Sequence, residues 1–160
     1  ELDPANLAAI SGRASAHTLL LKHDLAAADW SHVIALNPAQ PDSYRQRGAS
    51  YLSGGRPQEA LEDFNKAIQL KPGVPDIYVE RAGVYEQLQD REMALKEFDL
   101  AIAAEPGQWT TYLARAELAD RWGDVKMAIE NYRLVVKYNH RYWNAYKALH
   151  RLGASHAFDD

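Results

Sequence analysis

Apolar residues recur at three- and four-residue spacing in pairs of segments that short turns separate. In one pair the recurring positions are Tyr44, Gly48, Tyr51 and Leu52, then Leu61, Phe64, Ala67, Ile68 and Leu70. This spacing predicts two amphipathic helices. Between them, Gly54-Gly55-Arg56-Pro57 predicts a turn, with Pro57 placed to open the second helix rather than break it. The pattern therefore predicts helical hairpins and no strands.

The hairpin pattern repeats along the chain with a fixed period. Pro41-Asp42-Ser43-Tyr44 recurs as Pro75-Asp76-Ile77-Tyr78, 34 residues later. Three further kinds of landmark keep this register: Ala26, Ala60, Ala94 and Ala128; Trp30, Phe64, Phe98 and Tyr132; Pro38, Pro72 and Pro106, with His140 in the fourth place. One hairpin cannot bury both its faces, so repeated hairpins are expected to stack.

These landmarks resemble the tetratricopeptide repeat, a helix-turn-helix unit of 34 residues. The resemblance implies an all-α fold, a right-handed α-solenoid of stacked hairpins whose first helices line a concave surface. We expect a single array over 1–152, with repeats at 7–40, 41–74, 75–108 and 109–142, a capping helix at 143–152 and a tail at 153–160. Proteins of this family mostly bind peptides on the concave surface, so the resemblance implies a protein or peptide partner.

The first residues carry the same register. Leu2-Asp3-Pro4 corresponds to Leu36-Asn37-Pro38 and Leu70-Lys71-Pro72, the ends of two later repeats. We therefore expect the sequence to be a fragment of a longer array or multidomain protein. The alternative is a natural, capped terminus.

The amino-acid composition excludes several classes of chemistry and of membrane segment. The 160 residues are 47% hydrophobic and 25% charged, as in folded globular proteins, and contain no cysteine, which excludes disulfides and thiol chemistry. No apolar stretch approaches the roughly 20 residues that a membrane helix needs, and no signal peptide is visible. We expect a soluble chain without membrane insertion, with the cytoplasm favoured and the compartment otherwise unknown.

The net charge of -4 is unevenly distributed and disfavours general phosphate binding. Residues 76–105 contain three cations and eight anions, whereas residues 126–151 contain six cations and one anion. The middle of the chain is acidic and its end is basic. Binding of RNA by a helical array is disfavoured because such arrays tend to have a basic groove and a period of 35 residues.

An arginine stands at one position of every repeat: Arg13, Arg47, Arg81 and Arg115. Sixteen residues later stand Asp29, Asp63, Glu97 and Asn131. A partly buried Arg can form a two-point hydrogen bond to a carboxylate and fix the register of two helices. We expect a structural ladder of pairs within hairpins. The alternative is an unpaired row of Arg in the groove that binds carboxylates of a partner.

The resemblance places the binding residues on the first helix of each hairpin. In this register the expected surface in the later repeats is formed by Asp42, Arg45, Gln46, Asp76, Val79, Glu80, Glu86, Thr110, Leu113, Glu117 and Asp120. Ser11, Ser15 and Thr18 are the corresponding residues of the first repeat. The later part is acidic and favours a ligand with Lys, Arg or polar groups, and the alternative is ordinary solvated surface charge.

Some members of the family bind the C-terminal carboxylate of heat-shock chaperones through a clamp of Lys, Asn and Arg side chains across three repeats. The corresponding positions here hold Ser11 and Ser15, then Gln46, then Asp76 and Glu80. One repeat later they hold Arg45 and Ala49, then Glu80, then Thr110 and Ala114. Neither frame provides the clamp, so we expect no binding of chaperone tails by this route.

The C-terminal end combines aromatic and basic residues: Tyr132, Tyr138, Tyr142, Trp143 and Tyr146 with Lys137, His140, Arg141, Lys147, His150 and Arg151. Tyr132 and Tyr146 occupy the positions of Phe64 and Tyr44 and are expected in the core. For the rest of the cluster, packing of the capping helix is favoured over a protein contact, and a protein contact over stacking on nucleic acid.

No catalytic constellation is visible. The six histidines show no zinc spacing, Gly54-Gly55 is explained by a turn rather than a phosphate loop, and no cofactor motif is present. We therefore expect a non-enzymatic scaffold that binds a peptide or protein segment, with no metal or cofactor and no nucleic acid. The alternative is a recruiting or regulatory segment of a larger enzyme.

Overall fold

The computed structural model describes residues 4–154, and every regular element in that range is an α-helix. The helices are α1 (Pro4–Leu19), α2 (His23–Leu36), α3 (Pro41–Ser53), α4 (Pro57–Leu70), α5 (Pro75–Gln87), α6 (Arg91–Ala104), α7 (Trp109–Arg121), α8 (Val125–Tyr138) and α9 (Trp143–Arg151). The first and second helices of the predicted repeats are α1 and α2, α3 and α4, α5 and α6, and α7 and α8. The all-α fold of hairpin repeats is confirmed.

The helix starts follow from local sequence chemistry. Pro41, Pro57 and Pro75 each occupy the first turn of a helix, where the missing N–H is not needed. Asp124 caps α8 by accepting a hydrogen bond from the Met127 N–H at 3.1 Å, and Asp90 accepts one from the Met93 N–H at 3.0 Å. The predicted role of Pro57 is confirmed.

The turn inside each hairpin has one backbone conformation that recurs with the repeat. Leu21, Gly55, Gln89 and Gly123 all have φ between 56° and 73°, in the left-handed region. After α3 the Gly55 N–H donates to the Leu52 carbonyl at 3.1 Å, and the Arg56 N–H donates to the Tyr51 carbonyl at 2.9 Å. These bonds satisfy carbonyls at the end of the helix and reverse the chain. Glycine adopts this φ without strain, so Leu21 and Gln89 are the strained members of the set.

One compact unit ends at Glu97 and comprises α1 to α5 with the start of α6. Within it α1 packs on α2, α2 on α3, α3 on α4 and α4 on α5, so neighbouring hairpins stack. Phe64 is fully buried at the centre of one core cluster, with Tyr44, Ile77 and Val84. A Cβ on Gly48 would lie 3.1 Å from Cε1 of the Phe64 ring, so the small residue allows α3 and α4 to approach.

A second compact unit begins at Phe98 and contains the rest of α6 with α7, α8 and α9. Its core includes Tyr112, Tyr132, Val135 and Leu149, with the last three from α8 and α9. Tyr132 is 5% exposed, as its correspondence with Phe64 predicts. The limits of a single array over 1–152 stay a prediction. Leu2 and Asp3, and the tail beyond Ala154, lie outside the described residues.

Candidate binding surface and arginine ladder

The predicted arginine ladder is present inside the hairpins. Nη2 of Arg13, Arg47 and Arg81 lies 2.6, 2.7 and 2.8 Å from a carboxylate oxygen of Asp29, Asp63 and Glu97. In each pair Nε also donates to the same carboxylate. In the fourth hairpin Nε of Arg115 donates to the Asn131 amide oxygen at 2.7 Å. The structural interpretation is confirmed, because all four guanidinium groups are engaged by their own hairpin.

Three of these arginines make a further contact that was not predicted from the sequence. Nη1 of Arg47 donates to the Ser31 hydroxyl at 3.0 Å, that of Arg81 to the Asn65 amide oxygen at 2.6 Å, and that of Arg115 to Asp99 at 3.1 Å. Each acceptor lies 16 residues before its Arg, on the second helix of the preceding hairpin. One planar guanidinium thus joins three helices. The sequence signal for this contact is a polar residue 16 positions before each of these arginines: Ser31, Asn65 and Asp99.

The buried carboxylates of the ladder differ in their electrostatics. Asp29 is 5% exposed, and its hydrogen bond from Arg13 lowers the pKa of the carboxyl below its ordinary value. His17 Nδ1 also lies 3.0 Å from Asp29. Glu97 is 2% exposed, and there burial outweighs the hydrogen bond from Arg81 and raises the pKa. The hydrogen bond from Arg81 therefore favours the ionised form of Glu97 against the effect of burial.

Within the first unit, two of the predicted surface residues bind each other. Arg45 on α3 donates to the Glu80 carboxylate on α5, with Nη2 2.7 Å and Nε 3.0 Å from its oxygens. Both side chains are 28% exposed. Burial is the largest influence on Glu80 and raises its pKa, while Arg45 opposes that shift. The pair links two adjacent first helices, so Glu80 is not open to a ligand cation.

The other predicted residues of this unit surround that pair. Asp42 and Asp76 are exposed on α3 and α5, and Gln46, Val79 and Glu86 are half-buried. Asp42 Oδ1 lies 3.6 Å from Nη1 of Arg45. Asp42 and Asp76 both act on the charges of Arg45 and Glu80. This surface of α3 and α5 therefore has an excess of negative charge, and Asp42 and Asp76 are its exposed carboxylates.

Within the second unit, the four predicted residues on α7 have different environments. Thr110 and Glu117 are exposed, and Leu113 packs against the core. Asp120 accepts hydrogen bonds from Arg151 of α9. Of these residues, Glu117 presents the exposed carboxylate, and Asp120 holds the end of α9 against α7.

The aromatic and basic cluster is divided between packing and surface. Tyr146 packs against the core of α7 to α9, and its hydroxyl donates to the His140 carbonyl at 3.2 Å. Tyr138 stacks on Tyr112 with ring centroids 5.5 Å apart. Trp143 is 64% exposed. Packing thus accounts for most of the aromatic rings, as the favoured interpretation predicts.

Among the helices of residues 4–154, none combines the length and the apolar character required to cross a bilayer.

Two models of the tetratricopeptide repeat match the sequence, one over residues 41–74 and the other over residues 75–108. Both segments coincide with predicted repeats. Among curated proteins, no significant sequence match was found.

Solved structures of repeat proteins resemble the chain in fold. TTC0263, a tetratricopeptide repeat protein of Thermus thermophilus, is similar with a TM-score of 0.80 and 19% identity, over 96% of this chain and 82% of that one. MamA is similar with a TM-score of 0.72 and 16% identity, over 89% and 83% of the two chains.

A third similar structure is the first repeat domain of Spaghetti (RPAP3) bound to the HSP90 peptide SRMEEVD. Its TM-score is 0.63 and its identity 20%, over 71% of this chain and 93% of that one. At these identities the likeness concerns the fold alone. The family models match the repeats at 41–74 and 75–108. The hairpins on either side of them have the same turn and the same contact between Arg and the second helix. The chain therefore belongs to the tetratricopeptide repeat family.

Proposed function

We propose that this chain is a non-enzymatic scaffold that binds a peptide or protein segment on the surface of its first helices. The observation that carries the proposal is the charged surface of α3 and α5, where Asp42 and Asp76 lie beside the Arg45–Glu80 pair. Repeat domains of this family generally mediate protein–protein interaction, and the similar RPAP3 domain is bound to a peptide. Similarity in fold does not identify the ligand, so the class of ligand is inferred from the chemistry of the surface.

The ligand that fits this surface carries Lys or Arg. The carboxylates of Asp42, Asp76 and Glu80 outnumber the one cation of this patch, Arg45, so the patch is negative. A cationic side chain beside this patch would be attracted by its net negative charge without breaking the Arg45–Glu80 pair. In the second unit, Glu117 offers the same chemistry on α7. Attraction between exposed charges is reduced by salt, which gives the proposal a measurable signature.

Fluorescence anisotropy with two labelled peptides of equal length, one alternating Gly and Lys and one alternating Gly and Glu, tests this proposal. We expect the Lys peptide to bind more tightly, and D42N/D76N to weaken it by about fivefold at low salt. The matched control is Asp24→Asn, which removes a carboxylate that is 91% exposed on the second helix α2. Equal weakening by Asp24→Asn, or affinity that salt leaves unchanged, would contradict the proposal.

The same reasoning predicts no carboxylate clamp. Among the predicted surface residues of the first unit, Arg45 is the cation, and it is held by Glu80. The SRMEEVD peptide named for the RPAP3 domain is therefore expected to bind no better than a scrambled sequence. Selective binding of SRMEEVD that Arg45→Ala abolishes would show that a clamp exists here after all.

A further inference from the structure

The exposed face of α8 differs in charge from the same face of α2, α4 and α6. Lys126, Arg133 and Lys137 are exposed, and their spacing of 7 and 4 residues places them on one face of the helix. We call these three residues the α8 basic stripe. The corresponding residues are Asp24, Ser31 and Ala35 in α2, Gln58, Asn65 and Gln69 in α4, and Glu92, Asp99 and Ala103 in α6. None of those nine is a cation, so the stripe is not a feature of the repeat.

The helix dipole does not account for the stripe. Lys126 lies in the first turn of α8, where the dipole disfavours positive charge, and α2 and α6 have the acidic residues Asp24 and Glu92 at this position. Lys137 lies in the last turn, where the dipole favours a cation. The dipole therefore explains one end of the stripe and opposes the other.

The arginine ladder does not require the middle of the stripe either. Arg133 stands at the position that accepts a hydrogen bond from the next first helix in the other hairpins, where the residues are Ser31, Asn65 and Asp99. In α9 the donor position holds Leu149, which is 1% exposed. An acceptor is therefore not needed at position 133, but a neutral residue would satisfy the fold as well as Arg.

The charges of the stripe are not neutralised by neighbours. Among the described residues, none of its three cations forms an ion pair with a carboxylate, and Lys137 Nζ lies 5.6 Å from the centroid of the Tyr138 ring. Glu130 is exposed on the same face and reduces the net charge to +2. Three like charges along about 16 Å of helix repel one another, and an anion that binds them relieves that repulsion.

We propose that the α8 basic stripe binds an acidic helical segment of a partner protein. Carboxylates at spacings of 7 and 4 residues on such a helix recur at about 10 and 6 Å, the spacing of the three cations, so charge and spacing are both complementary. Glu130 lies between Lys126 and Arg133 and would repel a continuous row of phosphates, which favours a protein over a nucleic acid. The stripe is opposite in charge to the proposed site for Lys or Arg on α3 and α5, so the chain would bind two different partners.

A labelled peptide tests this proposal by fluorescence anisotropy with the full chain. The probe is an Ala-based helix of about 20 residues with Glu at successive spacings of 7, 4 and 7, beside an identical peptide with Gln in place of Glu. We expect the Glu peptide to bind and K126Q/R133Q/K137Q to weaken it by about tenfold at low salt. The matched control K22Q/K66Q/K71Q removes the same charge from the first unit and should weaken binding by less than about twofold.

Three further measurements define the site. Circular dichroism and urea unfolding should show that the exposed substitutions leave the fold intact, and D42N/D76N should not weaken binding of the Glu peptide. Equal weakening by the two triple variants, or equal binding of the Gln peptide, would overturn the proposal. Tighter binding of a short single-stranded oligonucleotide of the same charge, abolished by K126Q/R133Q/K137Q, would overturn it too, because it would assign the stripe to nucleic acid.

Discussion

At the scale of single residues, the ladder shows how one position sets helix register. Each guanidinium has a planar fork of donors. One or two of its nitrogens donate to a carboxylate or an amide oxygen on the second helix of the same hairpin. In three repeats another nitrogen donates to the second helix of the preceding hairpin. A buried ion pair contributes little net stability compared with apolar packing, but losing one partner leaves a buried charge unpaired. The ladder therefore acts mainly by penalising misaligned helices.

Arg81→Met tests that penalty through its pH dependence. The variant leaves Glu97 buried without its donor, and we expect a loss of about 3 kcal/mol at neutral pH. Burial already raises the pKa of Glu97, and removal of Arg81 raises it further. A carboxyl whose folded pKa exceeds its unfolded pKa destabilises the fold increasingly as pH rises. Urea unfolding at about pH 5 and about pH 8 should therefore show the larger loss at the higher pH.

Arg115→Met is the matched control, because its partner inside the hairpin is the neutral amide of Asn131. We expect a loss of about 1 kcal/mol that stays the same across this pH range. If the loss of stability caused by Arg81→Met did not change with pH, Glu97 would not be the buried charge that the variant leaves without a partner.

A second prediction concerns the strained turn residue Gln89, which has φ 59° where Gly55 has φ 73°. A side chain costs roughly 1 kcal/mol in this conformation, partly offset by the greater freedom of Gly in the unfolded chain. Gln89→Gly is therefore expected to stabilise the protein by about 0.5 kcal/mol, measured by thermal or urea unfolding. The reciprocal change Gly55→Gln has open space around it and should destabilise by a similar amount. The same sign for both variants would contradict the account.

At the scale of helices and hairpins, the sequence predicted what the repeat period encodes. Helix boundaries and the offset of 16 residues between each ladder Arg and its acceptor recur in all four hairpins, so four copies reinforced one pattern. The Arg45–Glu80 and Asp120–Arg151 pairs span 35 and 31 residues and occur once each. Pairs of that kind have no periodic signal, so the sequence predicts Glu80 and Asp120 as surface residues but does not predict their partners.

The packing of a hairpin depends on its central aromatic residue. Phe64 is fully buried between α3 and α4, against Gly48 and the residues of the neighbouring hairpin. Phe64→Ala is expected to cost roughly 3 to 5 kcal/mol because it removes a whole ring and leaves a cavity. Leu25→Ala, at a residue that is 50% exposed on α2, should change the free energy of unfolding by about 0.5 kcal/mol or less. Comparable losses for the two variants would argue against the assigned core.

At the scale of the whole molecule, stability in stacked hairpins arises between nearest neighbours. Within the first unit, α3 has α2, α4 and α5 against it, whereas α1 has α2 and keeps Ala9, Ala16 and most of the Arg13 side chain exposed. We therefore expect amide hydrogen exchange, corrected for intrinsic rates, to be faster in α1 than in α3 by about tenfold or more. Mass spectrometry of peptic fragments from the two helices measures this difference. Equal protection of α1 and α3 would contradict the view that contacts with neighbouring helices set the local stability.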